Sequence, residues 1–199
     1  MIKTGLKFFF LSVILLSSYF AEAAITPLAL TIVPPVQFPA EDFSITGLRL
    51  GLLGHHRDLF GVDLGLIGNI TDQEFRGLAL SGIFNYTKGD STIFGIQLAG
   101  IANVNTSKIN VYGLQFALGA NYNPATSSVV GVQIALANLS AFTDIYGLQL
   151  GVYNKSASVH GLQIGLVNVT NNLHGVQIGI VNFNAKGPFL VSPILNVGF

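Results

Sequence analysis

The densest run of chemically capable side chains is His55-His56-Arg57-Asp58. Imidazole and carboxylate are both metal ligands, so the run could hold an ion. It falls between two apolar segments, where a solvated turn is the simpler reading. His160 and His174 recur at a position that holds Tyr112 and Tyr146 elsewhere, and read as interfacial side chains rather than ligands. Arg49 and Asp63 occupy equivalent positions in adjacent sequence repeats and read as a structural pair, diagonal neighbours on a polar face. No Ser, His and acid recur together at one height, so no acyl-transfer triad is indicated. The glycines follow strand parity and never open a helix, so no phosphate loop is present. The sequence therefore assigns no catalytic, cofactor-binding or metal residue, and the chain is expected to be non-enzymatic and to need no cofactor. Sequons at Asn69, Asn85, Asn105, Asn138, Asn154 and Asn168 follow from a repeated Asn trailed by turn residues and carry no weight as glycosylation sites.

Composition narrows the remaining classes. Charged residues make up 9 % of the 199-residue chain, against about 25 % in an average soluble domain. Hydrophobic residues reach 50 %, with 23 Gly and no Cys or Trp. Disordered chains are charged and poor in aliphatics, so disorder is excluded. The missing Cys excludes disulfides and thiolate metal sites. Nine Lys+Arg balance nine Asp+Glu, so there is no basic footprint for nucleic acid.

Residues 1–23 read as a signal peptide. Lys3 and Lys7 precede an apolar run, Phe8 to Leu16, and then the triplet Ala21-Glu22-Ala23. The run is too short to cross a bilayer, which takes about 20 apolar residues. Residues 24–42 form an N-terminal extended segment, and 43–199 a β-strand repeat domain.

The repeat is plain in Tyr146–Asn154, His160–Asn168 and His174–Asn182, three copies of one unit built as Gly-Leu-Gln-Ile-Gly-Leu-Val-Asn. Weaker copies start at Gly131, Gly113, Gly95, Gly77, Gly61 and Gly47, with spacings of 14, 16, 18, 18, 18, 16, 14 and 14 from Gly47 to Gly175. Counting from the anchor Gly, positions +1, +3 and +5 are mostly aliphatic, as in Leu162, Ile164 and Leu166. Position +2 is Gln in six copies, and +4 is small. This period of two predicts strands with one aliphatic and one small, polar face. Position −1, on the aliphatic face, is aromatic or His in six copies.

Aliphatic stripes with aromatic ends mark the lipid-facing side of outer-membrane barrels. Taking each strand from −2 to +8 gives 11 residues, close to the 9–11 that cross a bilayer at a tilt. Even spacings return the same face to the same side, as a meander requires. The alternating end, Leu195, Val197 and Phe199, resembles the terminal signature of such barrels. The expected fold is all-β: an antiparallel up-and-down meander of about ten short strands closed as a small outer-membrane β-barrel. The alternative is a β-solenoid, supported by the gradual change in repeat length and by the amide ladders that stacked copies would form. In that alternative the aliphatic face would be the dry core and the Gln face would meet water.

The repeat, with Val33-Pro-Pro-Val-Gln37 and Ile45-Thr-Gly-Leu-Arg-Leu-Gly51 before it, resembles the surface-repeat proteins of leptospires and other Gram-negative bacteria. The likeness covers about Leu28 to Phe199. Many members look like lipoproteins, and this chain departs from them in having no Cys. The resemblance implies a surface location and a repeat architecture, and no enzymatic activity. The expected function is an outer-membrane or surface repeat protein with an envelope-structural or surface-interaction role. Its expected partners are outer-membrane lipid and a host or surface ligand. The alternative is a secreted β-solenoid adhesin or binding module.

Overall fold

The computed structural model describes residues 24–199. The signal peptide expected over residues 1–23 lies outside them. The described chain is a β-solenoid of about ten coils with no helix. The closed antiparallel barrel is therefore overturned, because successive repeats pair in parallel: Gly131, Gly147, Gly161 and Gly175 stand side by side in register, as do Gln133, Gln149, Gln163 and Gln177.

A first rung, β1 (Ile25–Val33), lies parallel to β3 (Ser44–His56), and the short β2 (Val36–Phe38) folds back antiparallel on β1. β4 (Asp58–Thr71) continues the stack. From there each coil makes two passes. The first runs through the anchor Gly and the second through the conserved-position Asn of the repeat. The Gly passes are β5 (Phe75–Ser81), then β7 (Ser91–Ala99) and β9 (Ile109–Ala117), with β6 (Phe84–Thr87), β8 (Ala102–Asn105) and β10 (Ala120–Tyr122) as the Asn passes between and after them. β11 (Ser127–Ile134) leads into β12 (Ala137–Leu150), β13 (Tyr153–Ile164) and β14 (Val167–Asn184), which join one Asn pass to the next Gly pass. β15 (Val191–Gly198) closes the far end antiparallel to β14. The unit taken above as one strand from −2 to +8 is thus two strands with a corner near +5.

The anchor glycines explain the stacking. Gly61, Gly77, Gly95, Gly113, Gly131, Gly147, Gly161 and Gly175 all have φ between +138° and +149°. A Cβ on any of them would collide with the carbonyl oxygen of the glycine one coil earlier. Only glycine fits such a column. Differences in repeat length are absorbed on the return side. Between Ser140 and Asp144 the pairing of β12 with β13 shifts by two residues, which takes up one step from 16 to 14.

The interior inverts the expectation for a solenoid. Gln97, Gln115, Gln133, Gln149, Gln163 and Gln177 are buried, while the aliphatic rows face outward. Buried polar residues outnumber buried hydrophobic ones by 32 to 15 among the described residues. The main apolar column inside is at position −2, with Ile45, Leu59, Phe75, Ile93, Val111, Val129, Ile145, Val159 and Leu173, and a short second one at +4 holds Ala99, Ala117 and Ala135. Beside it run two amide ladders. Each Asn from Asn69 to Asn168 donates from Nδ2 to the Oδ1 of the next coil's Asn, ending at Asn182, over 2.8–2.9 Å. Its second N–H goes to a backbone carbonyl of the facing pass, such as Ile164 O at 2.9 Å from Asn154. The Gln ladder runs the other way, each Nε2 donating to the Oε1 one coil earlier over 2.6–2.9 Å.

This arrangement predicts an inverted substitution pattern. Gln163→Leu leaves Gln177 without its side-chain acceptor and Gln149 without a donor, at about 1–3 kcal/mol for each stranded group. Ile164→Gln points outward, loses part of the area shared with Leu150 and Ile178, and should cost about 1 kcal/mol or less. Thermal or denaturant unfolding of the two variants gives the order, and a costlier Ile164→Gln would place the aliphatic face inside.

Candidate binding surface

Two features could do work: a polar knot at the N-terminal end and the apolar exterior. The knot begins with Arg49, only 1 % exposed. Its Nε donates to Asp63 Oδ1 at 2.8 Å and its Nη2 to Oδ2 at 2.5 Å. The two residues are direct register partners rather than the diagonal neighbours expected. Nη1 donates to Ile70 O at 2.9 Å and meets His56 Nδ1 at 3.3 Å. His56 is fully buried, with Nε2 3.3 Å from Pro39 O. The solvated-turn reading of His55-His56-Arg57-Asp58 is thus corrected. The run looked like a turn because its residues are polar. The run does turn, at Arg57 between β3 and β4, but His56 and Asp58 are buried and His55 and Arg57 half-buried because the N-terminal segment folds over it.

With Arg49 donating to Nδ1, His56 is a neutral imidazole that carries its proton on Nε2 toward Pro39. Burial, and then the Arg49 charge, push its pKa down to about 4. Around the knot, His55 lies between Glu41 at 2.9 Å and Asp72 at 2.8 Å, and Lys88 reaches Asp72 at 3.2 Å. Asp58 accepts from the Glu74 N–H, Ser44 and Arg57. Burial opposes its ionisation, yet these donors hold its carboxyl below the usual range. Burial raises the Asp63 carboxyl, against the pull of Arg49. Among the described residues no group of three or more His, Cys, Asp or Glu is arranged to hold a metal ion. The knot joins the N-terminal cap to the first coils, and its most reactive members are closed to solvent.

The exterior is the larger feature. On the Gly passes, rows −1, +1, +3 and +5 face outward. Row +5 forms a ridge at the corner, with Leu66 70 %, Leu118 63 % and Ile180 65 % exposed. Between rows +3 and +5 of the last five coils runs an apolar groove of about 740 Å³, floored by the small residues at +4, Ala117, Ala135, Gly151, Gly165 and Gly179. Its far end is closed by Ile194, whose φ of +67° is a strained value for a β-branched residue. The Asn passes also face outward with apolar side chains, including Phe84, Val104, Tyr122, Leu139 and Val169. Row −1 carries the aromatic and His side chains as a column. Tyr146 and His160 stack at 4.7 Å, and His160 and His174 at 4.5 Å. Two exposed charges share these faces, Arg76 in row −1 and Lys155 between Leu139 and Val169 on the Asn pass; the others beyond the N-terminal cap lie elsewhere. Asp72, Glu74, Lys88, Asp90, Lys108, Asp144 and Lys186 are on the return side, whose loops stack on one another through bonds such as Gly89 N to Asp72 O and Lys186 N to Asn171 O.

The sequence located the aliphatic and amide rows correctly relative to each other. It missed the second apolar face, because the residues after +5 were read as the end of one strand. The recurrent Asn at +7 or +8, buried in every coil that carries it, was the available signal. Phe199, expected to close a barrel, is fully exposed at the end of β15. No protein-family model matches the chain, nor does any curated protein or solved structure.

The knot yields a pH prediction. The folded-state pKa of His56 lies below its unfolded value of 6.5, so its contribution is complete above pH 6.5 and is lost as pH falls toward 4. Asp63, with its raised carboxyl, slopes the other way, so the His56 part is read as a difference. The thermal midpoint of the wild type should fall more between pH 6.5 and 4 than that of His56→Gln. Parallel curves for the two proteins would remove His56 as the titrating group.

Proposed function

We propose that this chain is an exported, non-enzymatic β-solenoid binding module whose working surface is its aliphatic exterior. The observation that carries this reading is the inversion of the fold. The coil closes around amides that satisfy one another, and the residues best suited to a core are outside. Soluble monomers rarely expose contiguous apolar patches above a few hundred Å² unless the patch has a partner. Stacked on successive coils, rows +1 to +5 form such a patch along most of the solenoid. The polar knot is built to hold an end rather than to turn over a substrate, since Arg49, Asp63 and His56 are each fully occupied and enclosed. The signal-peptide pattern of residues 1–23 and the resemblance to bacterial surface-repeat proteins support a place at the cell surface.

A solvent-sensitive apolar dye tests this reading. The folded chain should bind it at saturable sites, as few compact native proteins do. Leu136→Glu with Leu166→Glu, both on the ridge, should lower the bound signal several-fold while leaving the unfolding midpoint within a few degrees. Absence of dye binding by the folded wild type would remove the exterior as a working surface.

A further inference from the structure

We infer that the partner of the apolar exterior is a lipid bilayer, and that the solenoid lies along it with its axis parallel to the membrane plane. This inference rests on the binding-module reading above and names its partner. Four observations select lipid. First, the apolar band is convex. It covers the Gly-pass face, the corner ridge and the Asn-pass face. A flat face of a second copy could cover one of these, whereas fluid acyl chains cover all three.

Second, charge is partitioned around the solenoid axis as it is around an interfacial amphipathic helix. Rows +1, +3 and +5 hold no charged residue in any coil, and beyond the N-terminal cap the exposed charges sit on the return side except Arg76 in row −1 and Lys155 on the Asn pass. Third, aromatic rings stand along both borders between the apolar band and the charged side. Row −1 supplies Phe94, Tyr112 and Tyr146 along one border, with Arg76 and Val130 among them, and Tyr86 and Tyr122 stand along the other, in one column with Val104, Leu139 and Lys155. Such rings favour the headgroup level, where one side is apolar and the other wet. The row −1 rings are the ones first read as the aromatic ends of barrel strands. They line the length of a solenoid instead.

Fourth, the fold meets the requirement that hydrocarbon imposes on a backbone. Strand N–H and C=O groups pair between coils, along the axis, so neither face presents open hydrogen-bonding groups to lipid. Within the two ladders the interior amides satisfy one another from coil to coil, with Asn69 Oδ1 at the ladder's start left without a donor. The corner groove, with walls at +3 and +5 and a floor of Gly and Ala, offers a trough in which an acyl chain can lie along the ridge. The residues from Ala24 onward carry seven Lys+Arg (nine less Lys3 and Lys7) and eight Asp+Glu (nine less Glu22). Binding should therefore be hydrophobic and indifferent to lipid charge.

The test uses the purified chain with phosphatidylcholine vesicles, with and without phosphatidylglycerol. The chain has no cysteine, so single replacements report position cleanly. Leu136→Cys, Tyr112→Cys and Lys108→Cys, each carrying an environment-sensitive fluorophore, should respond in that order on vesicle addition. Leu136 should shift strongly to the blue and be quenched by acyl-chain quenchers, Tyr112 should shift less, and Lys108 should not change. Partitioning should be alike for both vesicle types, should resist high salt, and should fall by about tenfold or more in Leu136→Glu.

Binding to the apolar dye without binding to vesicles would overturn the lipid inference and leave the binding-module reading standing. If light scattering then shows a stable dimer that Leu136→Glu dissociates, a second copy is the partner. Loss of both dye and vesicle binding would remove both readings. Vesicle binding that requires phosphatidylglycerol and disappears in salt, or a Lys108 response larger than that of Leu136, would also overturn the inference, because attachment would then run through the charged loops.

Discussion

The amide ladders are the constraint on which the rest of the structure depends. A buried primary amide has two donors and an acceptor to satisfy, and each one left unpaired costs about 1–3 kcal/mol. A column of identical amides one coil apart solves this only if every coil repeats in register. The register then fixes the parallel pairing and the all-glycine anchor column, and it sends length variation to the return side. The two ladders donate in opposite directions, so their dipoles oppose rather than add. Their ends show what the repeat requires. The Asn ladder starts at Asn69, whose Oδ1 has no donor. Its register partner one coil earlier is Gly54, and the space there is taken by the Arg49 side chain. The Gln ladder ends on Asn196 of β15, which donates to Gln177 Oε1 at 3.2 Å. At its other end the column changes from amides to Ala79 and then to the Asp63–Arg49 ion pair.

An ion pair this enclosed is weak evidence of stabilisation, because desolvation offsets much of its Coulomb gain. Its role is better read as specification. Arg49 and Asp63 occur once each in a column otherwise filled by Gln or Ala. Arg49 is further tied to His56 and Ile70 O, and His56 to Pro39 O. A coil slipped by one repeat would set Arg49 against Ala79 and leave a charge unpaired. The knot therefore marks the first coil among nearly equivalent ones, which the uniform ladders alone cannot do.

The sequence made the repeat, the strand content and the two-faced character of each strand legible, because these depend on local period. It did not disclose whether the next copy pairs in parallel or antiparallel fashion, because period-two alternation and even spacing suit both. The identity of the copies held that information. Antiparallel pairing aligns a Gln with whatever lies across the turn. Parallel pairing aligns Gln149 with Gln163 and Asn154 with Asn168, so selection for identical residues has a physical cause only in the second case. The choice of inside and outside for a solenoid failed for a different reason. Hydrophobicity alone assigns Leu162 and Ile164 to the core. It does not count the area that identical aliphatic side chains cover on one another when stacked about 4.8 Å apart, which leaves both only partly exposed although they point outward.

That axial covering also bears on the ends of the solenoid, where it stops. A parallel stack finishes in an open edge, and an open edge invites further strands of the same kind. Both ends reverse the chain direction. β2 runs antiparallel to β1, and β15 antiparallel to β14. A reversed strand breaks the register that the ladders need, since the next repeat would meet Asn196 where it requires a Gln in parallel alignment. Pro193 lies within β15 and offers no backbone donor. The strained Ile194 beside it coincides with the pairing irregularity between Gly179 and Asn182. The ends are thus closed by direction and irregularity, and the sides by the ladders they enclose. The aliphatic band is the surface that neither device covers, and it runs the length of the coil with most of the charge on the opposite side.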